Sequence, residues 1–319
     1  MTPAGVLVVD KPRGVTSRKT AAAVGRLACA SKSGHAGTLD PLATGILVVC
    51  LGRATLLARF LAGGTKEYLA TAILGLETDT YDTDGKVVGR RDASGLAREE
   101  VEEILGDFVG SQEQLPPPYS AVKHKGKPMY AYARAGVSVE LRPRRVMIDS
   151  IELASLETSG DEAHLAIKVT CGPGTYIRSI VHDIGVRTGT GACIAELRRM
   201  RSGTFTLERS VALERLISGE ISIAEAMITM EEATSGWPTV AVEGEVALAV
   251  GQGKPMQGDW IAGVPERGPD HMNFRVVDAS GRLLALYGPP RPDDEQEIVA
   301  RPVRVIRPVT LGSGEDEAA

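Results

Sequence analysis

Residues 33–52 read SGHAGTLDPLATGILVVCLG, and the two halves of this stretch obey different physics. The first packs Gly34, His35, Gly37, Thr38 and Asp40 ahead of Pro41. The second, Ile46 to Leu51, is an uninterrupted apolar run of strand length. Glycine lets a backbone turn sharply or approach another surface closely. Pro41 biases Asp40 away from the helical region. A polar loop carried on a buried strand is therefore expected, with Asp40 held at the edge of the core. On these residues alone an Asp-Pro in a Gly-rich loop also serves as a plain turn.

Outward from this stretch the 319-residue chain has the composition of a globular protein with ample core, 43% hydrophobic and 24% charged. Its length predicts one large domain or a main domain with a smaller one. The apolar run after Gly45 ends at Arg53, too short for a membrane helix. The opening run from Val6 to Val9 is cut by Asp10 and Lys11, so no secretory pattern is present and a cytoplasmic protein without membrane association is expected. Cys29, Cys50, Cys171 and Cys193 form no C-x-x-C pair, and the five histidines lack metal-ligand spacing. Chemistry without a metal is expected. The net charge of −5 is unevenly spread. Residues 121–145 hold three lysines and four arginines against Glu140, a net of +6, and residues 1–32 a net of +5. Segregated basic charge suits either a polyanion-binding face or ordinary solvated surface.

In chain order, GVLVVDKPRGVTS predicts a short strand, a turn, and a helix capped by Thr16 or Ser17. Ala21, Val24, Leu27 and Ala28 continue at helical spacing. KEYLATAIL, residues 66–74, reads as a strand, and ETDTYDTDG as a turn-rich return. Val101, Ile104, Leu105 and Phe108 mark a packing helix within Arg98 to Val109. Further strands are predicted over Arg145 to Glu157 and His164 to Cys171. GPGTYIRSIVHDIG crosses into a helix with Tyr176 and Arg178 near its start. From Trp237 the runs VALAV, NFRVVD, RLLALYG and IVARPVRVI read as short strands, and residues 311–319 as a disordered acidic tail.

GHAGTLDPLATG closely resembles the signature of the TruB family of pseudouridine synthases, and three further motifs follow in that family's order. The resemblance implies that Asp40 is the catalytic nucleophile. Lys66-Glu67-Tyr68 fits the family's KxY element and makes Tyr68 the base-stacking ring. GTYIR makes Arg178 the partner of the catalytic aspartate and Tyr176 a contact of the target nucleoside, while GACIAELRRMRSG places Leu197 near the base. PPPYSAVK fits the start of an RNA-clamping insertion over about residues 113–145, in which Lys123, Lys125 and Lys127 are candidate phosphate contacts. His35 is a candidate to fill the space left by a flipped base or to bind a phosphate. Ala36 departs from the threonine that many members carry.

The fold implied is α/β (α+β): a mixed, largely antiparallel central sheet flanked by helices over residues 1–236, then a PUA-like β-rich module over 237–310. The activity implied is isomerisation of uridine 55 in the T-loop of tRNA, with no cofactor, no metal and no protein partner, by a monomer. Asp40 attack at C1′ or at C6 both remain open. An rRNA-directed synthase and a catalytically silent RNA-binding factor are the alternatives.

The basic insertion yields a prediction of its own. Replacing Lys123, Lys125 and Lys127 by Gln should weaken RNA binding and flatten its salt dependence by about 0.7 to 0.9 slope units per lost phosphate contact. Filter-binding titrations at several salt concentrations read this directly, and an unchanged slope would locate the RNA elsewhere.

Overall fold

The computed structural model describes residues 3–120, 123–124, 126–129, 132, 137, 139, 141–260, 273–295 and 297–308. The apolar run of the central stretch forms strand β3 (Thr44–Leu51), and the opening run forms β1 (Gly5–Lys11), paired antiparallel to it with Val8 opposite Val48. Both strands are apolar throughout because both faces of the sheet are covered. Leu7, Val9, Leu47, Val49 and Leu51 point into one core, and Val6, Val8, Ile46, Val48 and Cys50 into another. Alternate side chains thus serve opposite layers, which erases the polar alternation of a one-sided strand.

Among the described residues the main sheet has ten strands. Its path runs Val211–Ala212, β1, β3, Ala192–Ser202, β4 (Lys66–Leu74), Glu162–Cys171, Arg144–Ser159 and Gly110–Gln114. Two of its pairings, β1 with Val211–Ala212 and β3 with Ala192–Ser202, are parallel, and the rest are antiparallel. The mixed, largely antiparallel sheet is therefore as expected. Helix α1 (Ser17–Leu27) and the helices Arg98–Gly106 and Ile177–Arg187 supply Ala21, Val24, Val101, Leu105, Ile180 and Ile184 to the first core. Thr16 caps α1 by accepting a hydrogen bond from the Lys19 amide.

Two expectations need correction. The polar half of the central stretch is not all loop, because Ser33–Ala36 forms strand β2, paired antiparallel to β3. The strand Ala192–Ser202 covers that edge of β3 only at Thr44 and Gly45, and β2 satisfies the buried backbone groups from Val48 to Leu51. VALAV is not a strand either; it lies in the helix Gly244–Gly251. Five consecutive apolar residues carry no period, and Ala and Leu favour helix. The other carboxy-terminal runs are strands of a separate five-stranded sheet, in the order Thr239–Ala241, Phe274–Val277, Leu283–Gly288, Ile298–Val305, Met256–Gln257. Leu283, Leu286 and Ile306 close the second core against Val6 and Val48. Residues 311–319, expected to be a disordered tail, lie outside the described residues. Among the described residues no helix is long and apolar enough to cross a membrane.

The crossing of β3 and Ala192–Ser202 depends on Gly45, at φ +96°. A Cβ at this position would lie 2.3 Å from the Arg199 carbonyl oxygen. Overpacking and left-handed strain together should make Gly45→Ala cost about 3 kcal/mol or more. The check is a urea midpoint lowered at unchanged slope. A midpoint equal to that of the parent would contradict this contact.

Candidate active site

Between β2 and β3 the chain makes a short loop in which five consecutive residues, Gly37 to Pro41, are each held by a hydrogen bond from elsewhere in the chain. The Gly37 and Thr38 carbonyls accept from Arg199 Nη2 and Nη1 at 3.2 and 3.3 Å. Leu39 is clasped by Ser17, whose Oγ donates to its carbonyl and accepts from its amide, both at 2.8 Å. The Asp40 Oδ2 accepts from Arg178 Nε at 2.8 Å. The Pro41 carbonyl accepts from the Gly14 amide at 2.7 Å and from Lys11 Nζ at 3.4 Å. Lys11 also donates to the Pro12 and Val15 carbonyls, and burial brings its pKa down to about 8. The opening Lys-Pro-Arg-Gly turn is thus part of the support for Asp40.

Arg178 comes from the first turn of the Ile177–Arg187 helix, where the helix dipole gives a cation nothing. Its environment does. Nη1 donates to the Thr80 carbonyl at 2.9 Å and lies 3.4 Å from Asp82 Oδ2, and Nη2 donates to the Tyr119 carbonyl at 2.9 Å. The Arg178 side chain is only 5% exposed whereas that of Asp40 is 29% exposed, so the pair runs from the core out to a surface cleft. Asp82 sits behind it, its pKa raised by burial against the opposing effects of the Thr80 hydroxyl and Arg178. Tyr81, next to it, adopts φ +64°, an uncommon backbone state for a tyrosine.

The helix start is locked by Gln114. Its side-chain amide donates to the Tyr176 carbonyl at 3.0 Å and accepts from the Tyr176 amide at 2.8 Å. Ser179 Oγ adds a bond to the Leu115 carbonyl at 2.7 Å. The strand end at which the insertion begins is in this way fastened to the helix that carries Tyr176 and Arg178.

These elements enclose a cleft of about 300 Å³ whose lining includes Asp40, Lys66, Tyr68, Tyr176, Leu197 and Arg199. Burial raises the Tyr68 and Tyr176 phenols, so both stay neutral hydroxyls at ordinary pH. Burial, followed by the Arg199 charge, brings Lys66 down to about 8, with its ammonium donating to the Ala62 and Gly64 carbonyls. A cleft lined by planar rings and Leu197, with a carboxylate in its wall anchored by a buried arginine, can receive a flat heterocycle and present a nucleophile to it. Among the described residues no group of three or more His, Cys, Asp or Glu could hold a metal ion.

The structure brings Asp40, Tyr68, Tyr176 and Leu197 to one cleft with Arg178 directly behind Asp40. His35 is not among the lining residues. It is half-buried in β2, its Nδ1 has no hydrogen-bond partner, and burial lowers its pKa. The side chains of Lys123 and Lys127, and all of Lys125, lie outside the described residues. Asp82, Gln114 and Arg199 were not anticipated from sequence. Asp82 is one of four acids in residues 77–84, and nothing in that spacing separates it from its neighbours.

Residues 26–177 match the TruB family pseudouridylate synthase (N terminal domain), and residues 178–234 match the tRNA pseudouridylate synthase B C-terminal domain. The chain is 38% identical over 288 residues to the tRNA pseudouridine synthase B of Syntrophotalea carbinolica, covering 90% of this chain and 93% of that protein. It is 45% identical over 286 residues to that of Syntrophus aciditrophicus, covering 88% and 90%. Among solved structures, one of a Cbf5–Nop10–Gar1 complex superposes with a TM-score of 0.70 at 27% identity, covering 95% of this chain and 85% of the other. One of an H/ACA RNP bound to a substrate RNA containing 2′-deoxyuridine gives 0.68 at 25% identity with the same coverage. With both domain matches contiguous across residues 26–234 and relatives of this identity along most of its length, the chain belongs to the TruB family of pseudouridine synthases.

Proposed function

We propose that this chain is a tRNA pseudouridine synthase that isomerises uridine 55 in the T-loop, with Asp40 as nucleophile. The observation that carries the assignment is Asp40, backed by Arg178, in the wall of a cleft also lined by Tyr68, in a chain of this family. Relatives named tRNA pseudouridine synthase B support tRNA as the substrate.

The reaction breaks the N1–C1′ bond, turns the uracil, joins C5 to C1′, and exchanges the C5 proton for one on N1, so no oxidant or reductant is consumed. A uridine stacked in RNA cannot reach the cleft and must be flipped into it. Tyr68 stacks on the flipped base, with Tyr176 and Leu197 against the nucleoside. Asp40 attacks the nucleoside at C1′ or C6, and Arg178 keeps its carboxylate aimed by a charge-assisted bond. The 113–145 insertion, through Lys123, Lys125 and Lys127, grips the RNA stem. Residues 1–236 carry the catalysis and residues 237–310 form a PUA-like module that adds RNA contact. The enzyme works in the cytoplasm as a monomer, without a protein partner. The Cbf5 likeness makes an RNA-guided assembly the competing arrangement, and turnover by the purified chain alone separates the two.

Asp40→Asn keeps shape and removes the nucleophile. It should lower pseudouridine formation on a T-stem-loop RNA by at least about 10³-fold while RNA affinity stays within a few-fold. Normal turnover by the variant would end the assignment of Asp40.

Arg178→Lys keeps the charge and loses the planar fork that reaches Asp40, Thr80 and Tyr119 together. A single-turnover rate at saturating RNA reduced by about 10- to 100-fold is expected, with Arg178→Ala lower still. Equal rates in all three forms would remove Arg178 from the mechanism.

A further inference from the structure

Arg199 is the largest fully buried side chain among the described residues, at 1% exposure. Unlike Arg178, it has no carboxylate paired with it among those residues. A guanidinium buried without a counter-ion is costly to keep, and an aliphatic side chain would fill the same space. What an aliphatic side chain lacks is the five-donor planar fork. Three of those donors go to backbone carbonyls on both sides of the nucleophile: Nε to Ile46 at 2.7 Å, and the two Nη atoms to Thr38 and Gly37. The guanidinium also faces the cleft and acts on the Tyr68 hydroxyl, opposing the rise in its pKa that burial causes. On its own strand Arg199 lies opposite Tyr68 in one register and Gly45 in the other.

We infer that Arg199 is a positioning residue that fixes the distance between the Asp40 loop and the Tyr68 ring, two parts of the site carried by different strands and joined through one residue, which pairs with Tyr68 across the sheet and grips the loop with its guanidinium. The inference rests on the function proposed above. Leu197, two residues earlier on the same strand, lines the cleft beside it. One strand therefore supplies both an apolar contact to the base and the brace that holds nucleophile and ring in register. Lysine keeps the charge but offers a single apex in place of the fork, so from its place opposite Tyr68 it cannot span Ile46, Thr38 and Gly37 at once.

The test uses the full chain and a T-stem-loop RNA under single-turnover conditions. Arg199→Lys should lower the rate at saturating RNA by about tenfold to a hundredfold, with the RNA dissociation constant within threefold of wild type. Because this substitution is buried, a second arm uses Tyr68→Phe, which removes only the hydroxyl, and reads the Arg199 side-chain nitrogens by ¹⁵N NMR in the RNA-free protein. Those resonances should shift when the hydroxyl is lost. An unchanged saturating rate for folded Arg199→Lys, or Arg199 resonances indifferent to Tyr68→Phe, would overturn the brace. Absence of pseudouridine formation by the wild-type chain would instead refute the proposed function, and the NMR arm would still judge the brace.

Discussion

The ion pair between Arg178 and Asp40 joins residues 138 positions apart, and the architecture around it exists to make that meeting possible. A guanidinium taken out of water must find acceptors for its donors. Arg178 finds them in Asp40, in Asp82 with the nearby Thr80 carbonyl, and in the Tyr119 carbonyl, which belong to three separate segments of the chain. Each segment is therefore tied to the nucleophile through one side chain. The loop itself has almost no freedom left, since Gly37 through Pro41 are bound by Arg199, Ser17, Arg178, Gly14 and Lys11 in turn. Restraint of this kind holds a reactive group near its working geometry before substrate arrives.

Support for that loop begins in the hydrophobic layers. Strands β1 and β3 are buried on both faces, so the strand leading away from Asp40 is anchored in two cores at once. The carboxy-terminal sheet takes part in this, because Leu283, Leu286 and Ile306 complete the second core. An element far from the cleft thus stabilises the strand on which the nucleophile loop is mounted.

Much of this was legible in the sequence wherever a local pattern decides the outcome. The runs before Asp10 and after Gly45, rich in β-branched valine and isoleucine, read as buried strands, and the glycine-led pattern around Tyr176 read as a helix start. The motif resemblance named Asp40, Tyr68, Tyr176, Arg178 and Leu197, all of which lie at or directly behind the cleft. Strand β2 was hidden because its pairing answers an unmet need of β3, not a preference of Ser33–Ala36. VALAV was ambiguous because a short apolar run has no period. Asp82, Gln114 and Arg199 were hidden for a third reason. Their worth comes from neighbours 62 to 162 residues away, which no local spacing encodes.

Gln114 grips both backbone groups of Tyr176, and the Tyr119 carbonyl is a ligand of Arg178. The chain at residues 114–119 is consequently tied to the residues that hold Asp40 and is not a detachable module. A loop graft that changed the backbone path between Gln114 and Tyr119 would strip an acceptor from Arg178 even if the new loop bound RNA well. Freedom to diversify how the enzyme grips RNA, by evolution or by engineering, therefore begins only after Tyr119.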